Sequence, residues 1–374
     1  MRTQAVSPSR RPPFRADHVG SLLRPAALKQ ASKDLAAKKI DAAAFAVAQD
    51  AAIASVIRMQ EDVGLEVVTD GEFRRMSYWG RFVERCNGFT IKPAVFKFRD
   101  DHGHEVDFTA TYASAKLQRT QPLAVDEFAF TKTVVQKAMP KITLPAPSTM
   151  HFYRCTDYAD PAVYRDLPSF MADLTKIFRE EIASLAAEGC RYIQLDEVAV
   201  AMLCDPDIRG IVAKAGQDPD ALVDAYIDAI NAAVREAPKD MLIGIHMCRG
   251  NFKGHYLSKG GYLSVAERFF QRTNCTHFLL EYDTDRAGDF EPLRHVPASK
   301  GVVIGIMSTK TAELESLDYL QRRTREAAKC IDLSRLSIGP QCGFASTVAG
   351  NPLTEAQQRA KLERLVEASR IIWA

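Results

Sequence analysis

The chain has 374 residues, 47% hydrophobic and 26% charged, with 49 Lys and Arg against 47 Asp and Glu for a formal charge of +2. That balance is ordinary for a globular protein and excludes the strong basic field of a nucleic-acid binder and the acidic block of a disordered tail. The apolar runs fall well short of the roughly 20 residues a membrane helix needs.

Residues 1–13 carry an Arg-Arg pair but no apolar core, and are expected to form a frayed, solvated leader. From residue 14 onward short apolar strands alternate with amphipathic helices. The predicted strands are Arg15–Ser21, Glu66–Asp70, Ile142–Pro145, Tyr192–Asp196, Leu242–His246, His277–Glu281, Val302–Ile306 and Arg335–Gly339. The predicted helices include Ala42–Val63, Ser169–Glu188, Asp220–Ala237, Leu263–Thr273, Leu314–Cys330 and Glu355–Ile372. Asp41 and Thr354 stand where helix caps belong. Eight near-continuous apolar strands with helices between them predict a parallel sheet closed into a (β/α)8 TIM barrel, a single domain over residues 14–374. No G-x-G-x-x-G or P-loop turn follows any strand, which counts against a nucleotide fold. The aromatic and β-branched stretch 87–116 breaks the alternation and reads as a β-hairpin-like insertion after the second strand, lying over a barrel mouth or a partner subunit.

Catalytic groups of such a barrel project from the C-terminal strand ends. Those ends read His18-Val-Gly-Ser21, Thr69-Asp-Gly-Glu72, Leu195-Asp-Glu197, Ile245-His-Met-Cys248, Glu281-Tyr-Asp283 and Pro340-Gln-Cys342. His246 and Cys248, two apart in extended chain, can converge on one point, and imidazole with thiolate is a donor pair that zinc prefers. A buried core thiol beside a hydrogen-bonded histidine is the plain alternative. Glu281 ends the next strand and Cys342 follows the eighth, so four donors could meet over the mouth. Glu72 and Asp196 each end an otherwise apolar strand, where a charge must be paired. They suit a ligand ammonium group, or equally a salt bridge to Arg74, Arg75 or Arg191. Arg249, Asn251 and Lys253 offer donors to an anionic group, and Trp79 could cover a flat ligand ring. Of the eight cysteines, Cys190 and Cys330 read as packing residues, and Cys86, Cys155, Cys204 and Cys275 have no partner at metal spacing. Reduced thiols make the cytoplasm the default compartment.

The runs His18-Val-Gly-Ser21, Asp-Gly-Glu72, Ile193-Gln-Leu-Asp196-Glu197, His246-Met-Cys248 and Gly339-Pro-Gln-Cys342-Gly343 resemble cobalamin-independent methionine synthase, and more closely the short proteins that match its C-terminal catalytic half. The resemblance implies a methyltransferase that methylates a thiol, most simply homocysteine to methionine. It implies Zn²⁺ held by His246, Cys248, Glu281 and Cys342, and the amino-acid end of homocysteine held by Gly20, Ser21, Glu72 and Asp196. The family's proton-donating histidine falls near Met307, which cannot donate a proton, so activation of a methylfolate nitrogen must come from elsewhere or not be needed. The Arg-Cys pair that the full-length enzyme uses near the folate is not found, and Lys310 or His151 could substitute. The expected methyl donor is therefore either methylfolate or another carrier, such as a methyl-corrinoid protein or a small methylated compound. A coenzyme M type thiol alkyl transferase and a non-catalytic zinc- or thiol-binding protein are the competing readings. A metal-free relative of uroporphyrinogen decarboxylase ranks below them.

Overall fold

The computed structural model describes residues 12–374. The leader expected at 1–13 therefore lies almost wholly outside the described residues; its last two, Pro12 and Pro13, are buried.

Six parallel strands in sequential order make most of a barrel wall. They are β7 (Ile142–Pro145), β8 (Tyr192–Asp196), β9 (Leu242–Met247), β10 (His277–Glu281), β11 (Gly301–Met307) and β12 (Leu336–Pro340). A shorter pair, β1 (Val67–Val68) beside β6 (Met139–Pro140), extends it, because β6 runs into β7 with only Lys141 between them. Nearly every residue of these strands is buried, since helices cover one face and the barrel fills the other. The first predicted strand, Arg15–Ser21, is irregular. It touches β12 through a single parallel bridge at Ala16 and Ile338, with Asp17 N–H donating to Ile338 O at 3.1 Å. It is held to the far side by side chains instead, as where Thr69 Oγ1 donates to Gly20 O at 2.6 Å. The barrel is thus present, with one seam made of side-chain bonds.

That seam surrounds a polar network sealed inside the wall. Lys141 Nζ meets Asp17 Oδ1 at 2.8 Å and Gln194 Oε1 at 3.0 Å, and Tyr192 Oη donates to Asp17 Oδ2 at 2.6 Å. Burial pushes the Asp17 carboxyl up, but the Lys141 ammonium overcomes it and holds the group below its ordinary value.

The helices Ala42–Asp62, Leu167–Glu188, Pro219–Val234, Leu263–Arg272, Leu317–Ala327 and Glu355–Ile372 cover the outside. Asp41 accepts from Ala44 N–H at 2.8 Å, and Thr354 with Gln357 closes a reciprocal capping box. Helix Ala42–Asp62 has the length and mean hydropathy, 1.3, of a membrane span. It nonetheless buries Ile53, Val56, Ile57 and Gln60 and leaves its other face open, as a surface helix of a barrel does.

The insertion is a true hairpin and slightly longer than 87–116: β2 (Cys86–Pro93) pairs antiparallel with β5 (Thr109–Arg119), and a short ladder of β3 (Phe98–Arg99) with β4 (Glu105–Val106) extends its tip. At its register slip Gly88 has φ +99°, and a Cβ there would meet Ala115 O and Lys116 O at 2.7 Å. The hairpin is tied across the barrel mouth rather than away from it. Val95 N–H donates to Tyr153 O at 2.8 Å, and Arg99 and Tyr256 exchange backbone bonds of 2.8 and 2.9 Å. Those anchors lie on the loops that follow β7 and β9.

Candidate metal and thiol site under the hairpin

Beneath the hairpin is a cavity of about 500 Å³. At its floor, His246 is the penultimate residue of β9, Cys248 follows the strand, and Cys342 lies two residues past β12. Their ligand atoms fall within 4.8 Å of one another, with Cys248 Sγ 3.6 Å from Cys342 Sγ. Two sulfurs bonded to one tetrahedral zinc at about 2.3 Å would stand roughly 3.8 Å apart, so the spacing fits that ion. All eight cysteines are free, so this pair is not a disulfide.

The imidazole is oriented for the same purpose. Its Nδ1–H donates to Leu279 O at 3.1 Å, while Nε2 is buried without a hydrogen-bond partner. That leaves Nε2 as the nitrogen free to take a metal; burial works to lower the imidazole, but the Cys342 sulfur and Asp196 beside it push it up. The two thiols share a proton unequally: the hydrogen bond from Cys248 holds Cys342 well below the thiol range, and the same bond, with burial, pushes Cys248 well above it. Metal binding requires the ligands deprotonated, and half of that condition is already met.

Glu281 does not join this three-residue group. Its Oε2 accepts from the Arg249 amide at 2.6 Å and its Oε1 from Arg286 Nη2 at 2.5 Å, with Lys310 Nζ at 4.0 Å. Burial would raise its pKa, but Lys310, Arg286 and Arg249 together bring it down to about 2. The carboxylate is buried and ionised beside the cluster, claimed by cations rather than by the sulfurs.

Ser21, Glu72 and Asp196 line the same cavity. Glu72 sits in the left-handed region at φ +61°, its turn held by Asp70 Oδ1 accepting from Glu72 N–H at 2.8 Å and by Arg24 donating to Glu72 O at 2.9 Å. Such strain in a non-glycine residue is typical of functional turns. Glu72 Oε1 accepts from Thr143 Oγ1 at 2.6 Å and lies 3.5 Å from Arg75, whereas its Oε2 is buried and unpartnered. Arg75 is mainly the partner of Glu127, at 2.6 Å, and Arg191 pairs with Asp240 on the surface. The salt-bridge reading thus accounts for one oxygen of Glu72 and for none of Asp196, whose Oδ1 accepts from Gln194 Nε2 at 2.7 Å. Burial raises the Asp196 carboxyl to about 7, the His246 side chain works against this, and Glu72 adds to it. Two poorly compensated carboxylates in one buried pocket are an environment that a ligand ammonium would relieve. Gly20 supports them from behind: at φ +132°, a Cβ would press on Thr143 Cγ2 at 2.6 Å.

Other expectations change. Arg249 is fully buried and donates to Gly260 O, Tyr262 Oη and Ala287 O, so it builds the wall and is not offered to a substrate anion. Asn251 lines the cavity, but its amide is committed to Thr309 and Gly343 O; Lys253 is exposed and off the lining. His151 lies in the aromatic core on Tyr226 Oη at 2.7 Å, where burial lowers it to about 3, away from the cavity. Met307 is fully buried and also off the lining, whereas Trp79 is on it. Cys330 is half-buried beside Glu291 rather than a core residue. Tyr78 and Tyr153, whose hydroxyls are 3.0 Å apart, line the same cavity; nothing local in their sequence distinguishes them from packing aromatics.

Comparison with known proteins agrees with this architecture. The chain is 36% identical over 375 residues to a Bacillus subtilis protein named uncharacterized protein YxjH, covering 99% of this chain and 97% of that one. It is 27% identical to the methionine synthase of Pyrococcus abyssi over 95% of this chain and 91% of that protein. A crystal structure from Listeria monocytogenes, provisionally assigned as a vitamin-B12-independent methionine synthase, superposes with a TM-score of 0.76 at 29% identity, covering 96% of this chain and 98% of that one. Residues 14–370 match the family described as cobalamin-independent synthase, catalytic domain, and the chain belongs to that family.

Proposed function

We propose that this protein is a zinc-dependent thiol methyltransferase whose acceptor is homocysteine. The observation that carries the reading is one cavity holding both a His246, Cys248 and Cys342 donor set and the under-compensated pair Glu72 and Asp196. His246, Cys248 and Cys342 would hold the zinc, with Glu281 the carboxylate assigned to the same set. Bound zinc supplies the Lewis acidity that keeps an incoming thiol deprotonated at neutral pH, where a free thiol of pKa about 8.5 is mostly protonated. Glu72 and Asp196 bind the amino group of the acceptor, and Gly20 and Ser21 shape the turn beside it. The hairpin closes the mouth and excludes water, so the chain's contribution to rate is alignment of thiol and methyl carbon. A coenzyme M type acceptor fits less well: its sulfonate would face these carboxylates, and among the described residues no Lys or Arg lines the cavity.

The test is metal content by elemental analysis on the wild type and Cys342→Ser, with homocysteine affinity measured on both. About one zinc per chain, reduced at least tenfold in the variant, and homocysteine binding that depends on the metal, are expected. Zinc content unchanged by Cys342→Ser would overturn the ligand set. Zinc and homocysteine binding without methionine formation from any methyl donor would establish a binding protein instead.

A further inference from the structure

We propose that the methyl donor is an onium compound, a methylsulfonium or quaternary ammonium whose leaving group departs neutral. The proposal rests on the thiol methyltransferase reading and concerns the outer half of the same cavity, above the sulfurs.

Charge is the first ground. Four carboxylates line the cavity, Glu72, Asp196, Glu84 and Asp107, and among the described residues no lysine or arginine does. With Glu72 and Asp196 assigned to the acceptor's amine, Glu84 and Asp107 remain at the exposed rim. The one rim lysine beside Asp107, Lys97, is shared between Glu105 at 3.1 Å and Asp107 at 3.6 Å. A donor with an anionic tail, as in a glutamylated folate, would meet negative charge at both ends of the cavity. A cationic donor meets complementary charge and is concentrated by it.

The wall itself is the second ground. Phe108 stands edge-on to Tyr153 at 5.1 Å, Phe98 lies 5.0 Å from Phe108 and 5.4 Å from Phe252, and Trp79 adds a fifth ring to the lining. Aromatic faces attract desolvated cations, and the effect is largest for soft, weakly hydrated onium groups.

The third ground is the proton that a departing nitrogen would require. His246 is the only histidine on the lining among the described residues; its Nδ1 is turned to Leu279 O and its other nitrogen is assigned to the zinc. Met307, at the end of β11, is buried off the cavity. A donor that leaves as a nitrogen anion needs a proton, and the one lining carboxyl that burial raises to about 7, Asp196, is already assigned to the acceptor's amine. An onium donor needs none. The thiolate lone pair forms the new S–CH3 bond, and the electrons of the breaking bond from methyl to sulfonium return to the leaving sulfur. The products are two neutral thioethers, or a thioether and a tertiary amine from a quaternary ammonium. The thiol's proton has left for solvent before the transfer.

The hairpin also bears on the donor's size. Its backbone ties to Tyr153 and Tyr256 span the mouth, so a donor carried on another protein would have to displace them.

The experiment uses the zinc-loaded full chain with homocysteine and four donors in parallel: S-methylmethionine, glycine betaine, 5-methyltetrahydrofolate and methylcobalamin. Alongside, calorimetry compares choline with its neutral isostere 3,3-dimethylbutan-1-ol, a readout independent of turnover. Methionine formation from S-methylmethionine or betaine is expected, the productive arm naming the sulfonium or the ammonium. Choline should bind roughly tenfold more tightly than the isostere, a preference reduced in Trp79→Ala and in the exposed, fold-neutral pair Glu84→Gln with Asp107→Asn. Methionine formed only from methylfolate or methylcobalamin, or equal binding of choline and its isostere, would overturn the onium proposal and leave the thiol reading intact. Loss of homocysteine binding and of zinc dependence would instead bring down the reading beneath it.

Discussion

Glu197 offers a quantitative check on the buried charge around the site. It is fully buried one residue past Asp196, with Oε2 accepting from Ser148 Oγ at 2.6 Å and Oε1 from Val200 N–H at 2.9 Å. Burial raises its carboxyl from 4.5 to about 7, against the lowering effect of those two bonds. In the unfolded chain the proton leaves near 4.5, while the folded protein keeps it until about 7. Between those values the native state binds more protons, so unfolding becomes easier as pH rises, and stability is lost between about pH 4.5 and 7. At about 1.4 kcal/mol per unit the loss is on the order of 3 kcal/mol. Glu197→Gln keeps the shape and both hydrogen bonds, since the amide oxygen accepts from Val200 and the amide nitrogen donates to Ser148. The variant is expected to match the wild type near pH 5 and to be more stable by about 2–3 kcal/mol at pH 8. Urea midpoints of metal-free protein across pH 5–8 measure this, metal removal keeping zinc affinity out of the comparison. Parallel curves for the two proteins would show that burial does not hold this carboxyl protonated, and the argument would fail.

Three further outcomes are expected. Asp196→Asn should weaken homocysteine binding roughly tenfold to a hundredfold while zinc content stays the same; zinc loss with unchanged homocysteine affinity would mean the two halves of the site are misassigned. Lys141→Met should destabilise the barrel by about 3–5 kcal/mol, because the buried Asp17 carboxyl loses the ammonium that offsets its burial and keeps only Tyr192 and the His18 amide. Adding Asp17→Leu should restore most of that in urea unfolding, and no recovery would show that the damage is to packing. Gly20→Ala should destabilise by about 1–3 kcal/mol and weaken homocysteine binding, since the new Cβ presses on Thr143, which holds Glu72. Thr143→Ser, which removes the methyl it strikes, should recover part of both; an unaffected Gly20→Ala protein would refute the packing role.

Local pattern carries the barrel itself. Tyr192–Asp196, His277–Glu281 and Glu355–Ile372 end where the apolar period and the caps place them. The convergence of His246 and Cys248 likewise follows from extended geometry two residues apart, and polar residues at strand ends mark the mouth. The rest depends on partners far apart in the chain, which no period encodes. Cys342 reaches Cys248 across 94 residues only because β12 closes beside β11. Glu281 reads like a free ligand until Arg286 and Lys310 are seen beside it, and Arg249 reads like a substrate donor until the wall folds around it. The first strand looks as regular as its neighbours, yet its ladder gives way to Lys141 and Thr69, contacts more than 45 residues away. Nor does the composition of the stretch 86–119 say which surface it covers; backbone bonds to Tyr153 and Tyr256 decide that, and with it the aromatic, acid-rimmed roof of the cavity. Periodicity determines which face of each element is buried, whereas the pairing of charges and the roof over the site are settled only when loops from different strands meet in a low-dielectric space that leaves each polar group few partners.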